Sequence, residues 1–189
     1  LGGVVYIAAN TNSGFAIMDD GRAVGWGTGD WNPNTGDKAL VFVYIKDCDG
    51  NDIQNITHIS GGDDNCYLRT GDGTLYAIGM WNGDDNTKNI KTKCAVKVLK
   101  AEDGTPLENI RMSAAGDQCG FAVTSDGFVW GWGDTWGGCA GIGSDKGSVR
   151  AQKVISGEYK KISNEAYLTD VTQVIGGRGH GAAITKEGY

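Results

Sequence analysis

The sequence predicts an all-β protein, a β-propeller of about three and a half four-stranded blades that form part of a larger ring. The first observation is a repeat. An Asp-Gly or Glu-Gly pair recurs at intervals of 52, 54 and 61 residues, with its glycines at Gly21, Gly73, Gly127 and Gly188. The second is that short apolar, β-branched runs flank each pair, as in a β-hairpin. The third is that a small residue lies twelve positions before each glycine, at Ala9, Gly61, Ala115 and Gly176.

The repeat divides the chain into units at about 1–46, 47–100, 101–155 and 156–189. In the first unit, four apolar runs predict strands, at 4–8, 15–18, 23–26 and 39–46. The turn-rich stretch 28–38 predicts a surface loop. Asp-Gly favours type I′ turns, so the pair at 20–21 predicts a two-residue hairpin.

The second and third units repeat this order of strands, and the stretch 110–143 shows it most completely. The fourth unit follows a longer connection at 156–167 and contains only the first part of the pattern. Insertions in repeat proteins collect in loops, so we expect the extra residues to form a loop.

One such unit cannot bury both of its faces, so neighbouring units are expected to supply the missing core. Small residues at the end of each first strand would let backbones approach closely near the central axis. Trp26, Trp130 and Trp132 are expected to add apolar area between blades. A β-sandwich or a β-solenoid is the competing architecture.

Composition favours a folded domain with many tight turns, because Gly is frequent (32 residues) while 40% of the residues are hydrophobic. A net charge of −6 argues against a nucleic-acid partner, and no apolar run is long enough for a membrane span. The chain begins at Leu1 without a targeting signal and stops one residue past a hairpin glycine. We therefore expect a segment of a longer polypeptide, with the remaining blades supplied by the same chain or by another copy.

The sequence predicts no metal or cofactor. The five cysteines form no CxxC or CxxCH motif, which argues against zinc and haem. They are expected to be buried free thiols, although a disulfide between Cys66 and Cys119 would be possible if adjacent blades brought them close. The acidic stretch 47–52 has its glycine too early for an EF-hand loop and predicts a turn. His58 is expected to be an ordinary strand residue, and Asn55 a chance glycosylation sequon.

These residues resemble the regulator-of-chromosome-condensation repeat. The resemblance covers nearly the whole chain, and the third unit matches the pattern at 110–116, 121–124, 126–127, 129–130, 132–133 and 138–141. The histidine of that pattern is present only as His180, since the other units have Ser13, Asn65 and Cys119 there. Such proteins are closed propellers of about seven blades. The connecting segments look like those of bacterial, secreted or surface-exposed members.

The resemblance and the residues leave three functions open. The first is a non-catalytic recognition or scaffold module of a larger bacterial surface, secreted or filament-associated protein, located extracellularly or at the cell surface. The second, implied by the family, is a guanine-nucleotide exchange factor for a small GTPase. The third is an enzyme, which we do not expect, because the chain has no Ser/His/Asp order, P-loop or HExxH motif and only two histidines.

A binding surface is predicted in the loops that follow each Trp-Gly or Ile-Gly pair. These loops combine tryptophan with acidic and amide side chains, which can stack on a sugar, as in a carbohydrate-binding propeller, or hold a protein loop. The predicted binding residues are Trp31, Trp81, Trp136, Asp30, Asn32, Asn82, Asp84 and Asp134. The alternative is that these tryptophans pack under their own loops.

Overall fold

The structure is a computed structural model that describes residues 2–28, 39–63, 65–80, 83–84, 92–133, 136–158 and 161–188. The described residues form sixteen β-strands and one short 3₁₀ helix, Trp136–Gly138. Among these residues, no helix has the length and apolar character needed to span a bilayer.

Three four-stranded antiparallel sheets follow one another along the chain, and we call them blades 1, 2 and 3. In each blade the strands pair in sequence order. Blade 1 contains β1 (Val4–Ala9), β2 (Ser13–Met18), β3 (Ala23–Gly27) and β4 (Ala39–Tyr44). Blade 2 contains β5 (Ile56–Gly61), β6 (Asn65–Thr70), β7 (Leu75–Gly79) and β8 (Thr92–Lys97). Blade 3 contains β9 (Ile110–Ala115), β10 (Cys119–Thr124), β11 (Val129–Gly133) and β12 (Ser148–Lys153).

Two two-stranded sheets complete the described chain. The first is the hairpin of β13 (Ile155–Glu158) and β14 (Lys161–Tyr167). The second pairs β15 (Val171–Gly176) with β16 (Gly181–Thr185), which correspond to the first two strands of a fourth blade. The predicted all-β propeller with three complete blades and part of a fourth is thus confirmed.

The Asp-Gly hairpins differ from the predicted two-residue type. A type I′ turn needs positive φ at both central residues, but Gly21 has φ 80° while Asp20 is not among the positive-φ residues. The N–H of Gly21 donates to the carbonyl of Met18 at 2.9 Å, which closes a turn one residue longer. The hairpin is therefore a type I turn followed by a left-handed glycine, and blades 2 and 3 repeat it at Gly73 and Gly127.

Each hairpin glycine also binds the next blade. The carbonyl of Gly73 accepts a hydrogen bond from the N–H of Ile110, the first residue of β9, at 2.9 Å. Asn109, directly before Ile110, has φ 58°, and its backbone carbonyl accepts a hydrogen bond from the N–H of Ser125 at 2.9 Å. The same backbone bond joins Gly21 to Ile56 and Gly127 to Val171. The entry of each first strand after blade 1 is thereby attached to the blade before it.

The connections between blades follow the outer strands. Asp47 forms a parallel bridge with Ala95 of β8, and Lys100 forms one with Ala151 of β12. The third connection contains the extra residues that the sequence analysis expected in a loop. That expectation is wrong, because β13 and β14 pair antiparallel there from Ile155 to Tyr167.

The hydrophobic core lies between blades. Phe15 and Ile17 of blade 1 pack against Ile59 and Leu68 of blade 2. We call the surface of a blade that faces the next blade its front face, and the surface that faces the preceding blade its back face. The same packing recurs between blades 2 and 3 and between blade 3 and β15–β16, and we call each contact between neighbouring blades a seam.

Among the residues that the structure describes, no neighbouring sheet covers the back face of blade 1 or the front face of β15–β16. Ile7 is 72% exposed, whereas Ile59, at the same position of blade 2, is 1% exposed. Trp26 was expected to pack between blades; it remains 37% exposed, while Trp132, its equivalent in blade 3, is fully buried. Ile184, on the front face of β15–β16, is 47% exposed. We call the back face of blade 1 and the front face of β15–β16 the two end faces.

Four of the five cysteines form disulfides, so the expectation of free thiols is wrong for them. Cys48 in the first connection is joined to Cys94 of β8, and Cys119 is joined to Cys139. Cys66 is buried and free, as expected, so the pair with Cys119 that the sequence left possible does not form. The sequence missed these pairs because each joins positions that are close only after the blade has folded.

We predict that Gly62→Ala destabilises the seam between blades 2 and 3. A methyl group at Gly62 would overlap the carbonyl oxygen of Gly116, so the free energy of unfolding should fall by about 1–3 kcal/mol. Urea unfolding measures the effect. Gly179→Ala is the matched control, because a methyl group there would contact nothing within 4 Å. Equal stability of the two variants would contradict this description of the seam.

A second prediction concerns the thiols. Thiol titration in denaturant without reductant should detect one reactive cysteine, Cys66, and five after reduction. Removing the Cys48–Cys94 bond, which spans 46 residues, should lower stability by roughly 4 kcal/mol on the chain-entropy estimate. Detection of three or five thiols before reduction would show that one or both disulfides are absent.

Candidate functional site

Most of the predicted binding residues lie outside the described part of the chain. These are Asp30, Trp31, Asn32, Trp81, Asn82 and Asp134. Asp84 lies half-buried in a bend after β7, and Trp136 begins the short 3₁₀ helix. The binding surface in these loops therefore stays a prediction.

The described residues form a different candidate site, a groove between blades 2 and 3. It consists of two cavities of about 480 Å³ each, and both are lined by Glu102, Trp130 and Lys153. The first cavity is completed by residues of the connection between the blades and of the β10–β11 hairpin, including Lys100, Glu108, Asn109 and Asp126. The second is completed by residues that include Gln152, Ile155 and Tyr167. We call the two cavities together the rim groove.

Three aromatic rings surround the ammonium group of Lys153 in this groove. Its Nζ lies 4.6 Å from the ring centroid of Phe128, 5.3 Å from that of Tyr167 and 5.5 Å from that of Trp130. The negative faces of aromatic rings attract a cation at these distances. Among the described residues no carboxylate forms an ion pair with Lys153. The rings therefore hold this charge in place.

The strand register explains why lysine and tryptophan meet here. Trp130 and Lys153 are directly opposite each other in the β11–β12 pair, so their side chains lie on the same face. Blade 2 has Tyr76 opposite Lys97, whose Nζ lies 6.0 Å from the tyrosine ring. A cation next to an aromatic ring thus recurs at one register position.

The β13–β14 hairpin makes the third blade different. It ends at Tyr167, whose ring lies edge-on to Phe128 with the centroids 6.4 Å apart. Tyr167 is 45% exposed, so part of its ring is available to a ligand. The sequence pattern did not indicate this site, because it predicted a loop for the hairpin residues. The register match between VWGW and AQKV could have indicated Trp130 and Lys153, but no signal indicated Tyr167.

The carboxylates with shifted pKa values are held in ion pairs and turns. Asp103, in the connection between blades 2 and 3, has its pKa lowered to about 2, chiefly by hydrogen bonds from the hydroxyl and backbone N–H of Thr105 and then by Lys100. The Lys100 ammonium lies 3.1 Å from Asp103. The pKa is also lowered for five other aspartates: Asp20, Asp47, Asp52, Asp72 and Asp170. These groups are ionised near neutral pH and structural in role.

Burial also shifts the pKa values of Cys66 and His58. Burial raises the pKa of the Cys66 thiol, so little of the reactive thiolate form exists at neutral pH. Burial lowers the pKa of His58, with a further contribution from the charge of Arg69, and its ring packs 5.4 Å from that of Tyr6. His58 is in β5, so the prediction of a strand residue is confirmed. The described residues contain no group of three potential metal ligands.

Comparison with known proteins supports the fold. The chain matches no protein-family model. Among solved structures it is similar to human WBSCR16, with a TM-score of 0.75, 18% identity and coverage of 97% of this chain and 46% of that one. It is also similar to Prp20p from Saccharomyces cerevisiae, with a TM-score of 0.66, 21% identity and coverage of 97% and 45%. The structure of yeast RCC1 (Prp20) bound to Kap60 has a TM-score of 0.67 and 20% identity. The match covers 97% of this chain and 43% of that one.

These similarities show that the chain has the fold of RCC1-type repeats. The chain spans less than half the length of each of these structures. The Prp20p structure was described together with its binding properties toward Gsp1p and histones. At these identities the similarity shows the fold alone, because function depends on the residues of a site more than on the fold that holds it.

Proposed function

We propose that this chain is a non-catalytic recognition and scaffold module, built as part of a larger RCC1-type propeller. The observation that supports it most directly is the rim groove, in which aromatic rings and charged groups are held in place next to open space. The carboxylates with shifted pKa values are all more acidic than usual, whereas a general acid at neutral pH needs a raised pKa. The rim groove is lined by other carboxylates, so the proposal of binding rests on its aromatic rings and charged groups.

The two end faces support the proposal of a larger ring. Their apolar residues occupy positions that the internal seams bury, as Ile7 and Ile59 show on the back faces. This exposure supports another blade of the same kind as the partner of the back face of blade 1. We propose that the remaining blades come from the same longer polypeptide, in keeping with the greater length of the similar structures.

The disulfides support an oxidising location. Disulfide bonds persist in secreted, periplasmic and cell-surface proteins and are rare in the cytosol. Two disulfides in one chain therefore favour an extracellular or surface protein. A bacterial surface or filament-associated protein, as the connecting segments suggest, is the context we propose.

End-face contacts can be tested with matched variants in β1. We predict that the 189-residue chain self-associates through its end faces and that Ile7→Glu weakens this association by at least about tenfold, because it places a charge in an apolar contact. Sedimentation velocity over a range of concentrations measures it. Val5→Glu is the control, since Val5 is 64% exposed and its equivalents Thr57 and Arg111 are exposed within blades 2 and 3. Equal effects of the two variants would contradict the proposal.

A small-GTPase regulator is the alternative function, and the RCC1-type fold favours it because Prp20p binds Gsp1p. We predict that the chain does not accelerate nucleotide release from Gsp1p loaded with a fluorescent guanine nucleotide. Prp20p itself is the positive control for the assay. Acceleration by this chain would replace the recognition proposal with the regulatory one.

A further inference from the structure

We propose that the rim groove binds a neutral carbohydrate chain, with the ring of Tyr167 as its stacking platform. This inference rests on the proposed recognition function and names the ligand class for it. Four features of the groove support it: an exposed ring, charges of both signs, amide groups, and two cavities that share lining residues.

The exposed ring comes first. Tyr167 is 45% exposed although two neighbours, Phe128 and Lys153, hold its position. A ring fixed in this way loses little conformational entropy on binding, and its apolar surface can pack against the C–H face of a sugar while its hydroxyl remains polar. Aromatic residues with one apolar and one polar part are common anchors in recognition sites.

The charges of the groove disfavour a highly charged partner. Glu102, Glu108 and Asp126 bring negative charge, while Lys100 and Lys153 bring positive charge. A strongly acidic or strongly basic segment would meet like charges on one side or the other, which is costly at a desolvated interface. Sugar hydroxyls avoid this conflict, because each can donate to a carboxylate or accept from an ammonium group.

The amide side chains of the groove also suit a carbohydrate. Asn109 lines the first cavity and Gln152 the second, and each amide can both donate and accept hydrogen bonds. Trp130, which is 6% exposed, has an indole N–H without an acceptor among the described residues. This indole N–H is itself buried, so a ligand in the groove would meet the amides of Asn109 and Gln152 instead.

The shape favours a chain over a single sugar. Each cavity, at about 480 Å³, is within the range of ligand sites, roughly 300–1,000 Å³. The two cavities meet at Glu102, Trp130 and Lys153, so one ligand can extend across both. We therefore expect an oligosaccharide to bind better than its monomer.

The experiment uses the 189-residue chain and linear hexasaccharides of glucose, mannose, galactose and N-acetylglucosamine. Tryptophan fluorescence titration and isothermal calorimetry measure binding. We expect at least one hexasaccharide to bind, its monosaccharide to bind more weakly, and Tyr167→Ala to weaken binding by about tenfold or more. Tyr167→Phe keeps the ring and should bind within a few-fold of the unaltered chain.

Phe42→Ala is the matched control. Phe42 is exposed to the same extent as Tyr167, 45%, but lies in β4 of blade 1, away from the groove. Circular dichroism and urea unfolding show whether each variant is folded. If Tyr167→Ala were unfolded, Glu102→Gln, which alters an exposed side chain at the junction of the cavities, would serve as the second variant and should also weaken binding.

Two results would overturn the proposal. One is that none of the hexasaccharides binds, and the other is that Phe42→Ala weakens binding as much as Tyr167→Ala. Acidic and basic decapeptides distinguish this failure from failure of the recognition function. If a peptide bound and its binding depended on Tyr167, the groove would be a recognition site for a ligand other than a carbohydrate. If neither peptides nor hexasaccharides bound, the groove would be neither a carbohydrate site nor a recognition site.

Discussion

Close contact between the first strands of neighbouring blades is the constraint on which the rest of the structure depends. At the exit of these strands a methyl group on Gly61 would lie 2.9 Å from the carbonyl oxygen of Ala9, and one on Gly116 would lie 2.8 Å from that of Gly177. At the entry, a hairpin carbonyl accepts a backbone bond from the next blade, as between Gly73 and Ile110. With both ends held, the blades lie face to face. The contact between facing blades buries their apolar residues, which a single blade could not bury.

Equivalent positions reach the same end by different chemistry. The residue that begins the second strand attaches the segment after Trp-Gly to its blade. In blade 1 this is a hydrogen bond from the Ser13 hydroxyl to the carbonyl of Thr28, and in blade 3 it is the disulfide between Cys119 and Cys139. The cation–aromatic contact likewise recurs, although blade 1 places an arginine beside Tyr44. The repeat therefore preserves positions and contacts more strictly than residue types.

The candidate site arises where the repeat is interrupted. Trp130 and Lys153 occupy positions that exist in every blade, but Tyr167 comes from the β13–β14 hairpin, which replaces a short turn. Local pattern did not distinguish this hairpin from a loop, because its pairing has an irregular register and few apolar residues. The Asp-Gly turns show the same limit. The sequence located each turn, but its length and type appeared only in the structure, where the glycine carbonyl of each hairpin in blades 1–3 accepts a hydrogen bond from the next blade.

The sequence by itself determined the fold class, the number of strands in each complete unit and the positions of the turns. These depend on period-two patterning and on glycine, whose effects act over a few residues. Only the tertiary structure decided which cysteines pair, which tryptophans are buried and which side chains share a groove. Cys48 meets Cys94, and Lys153 meets Tyr167, through contacts between separate strands. Such contacts are set by how strands and blades pack together, which no local pattern encodes.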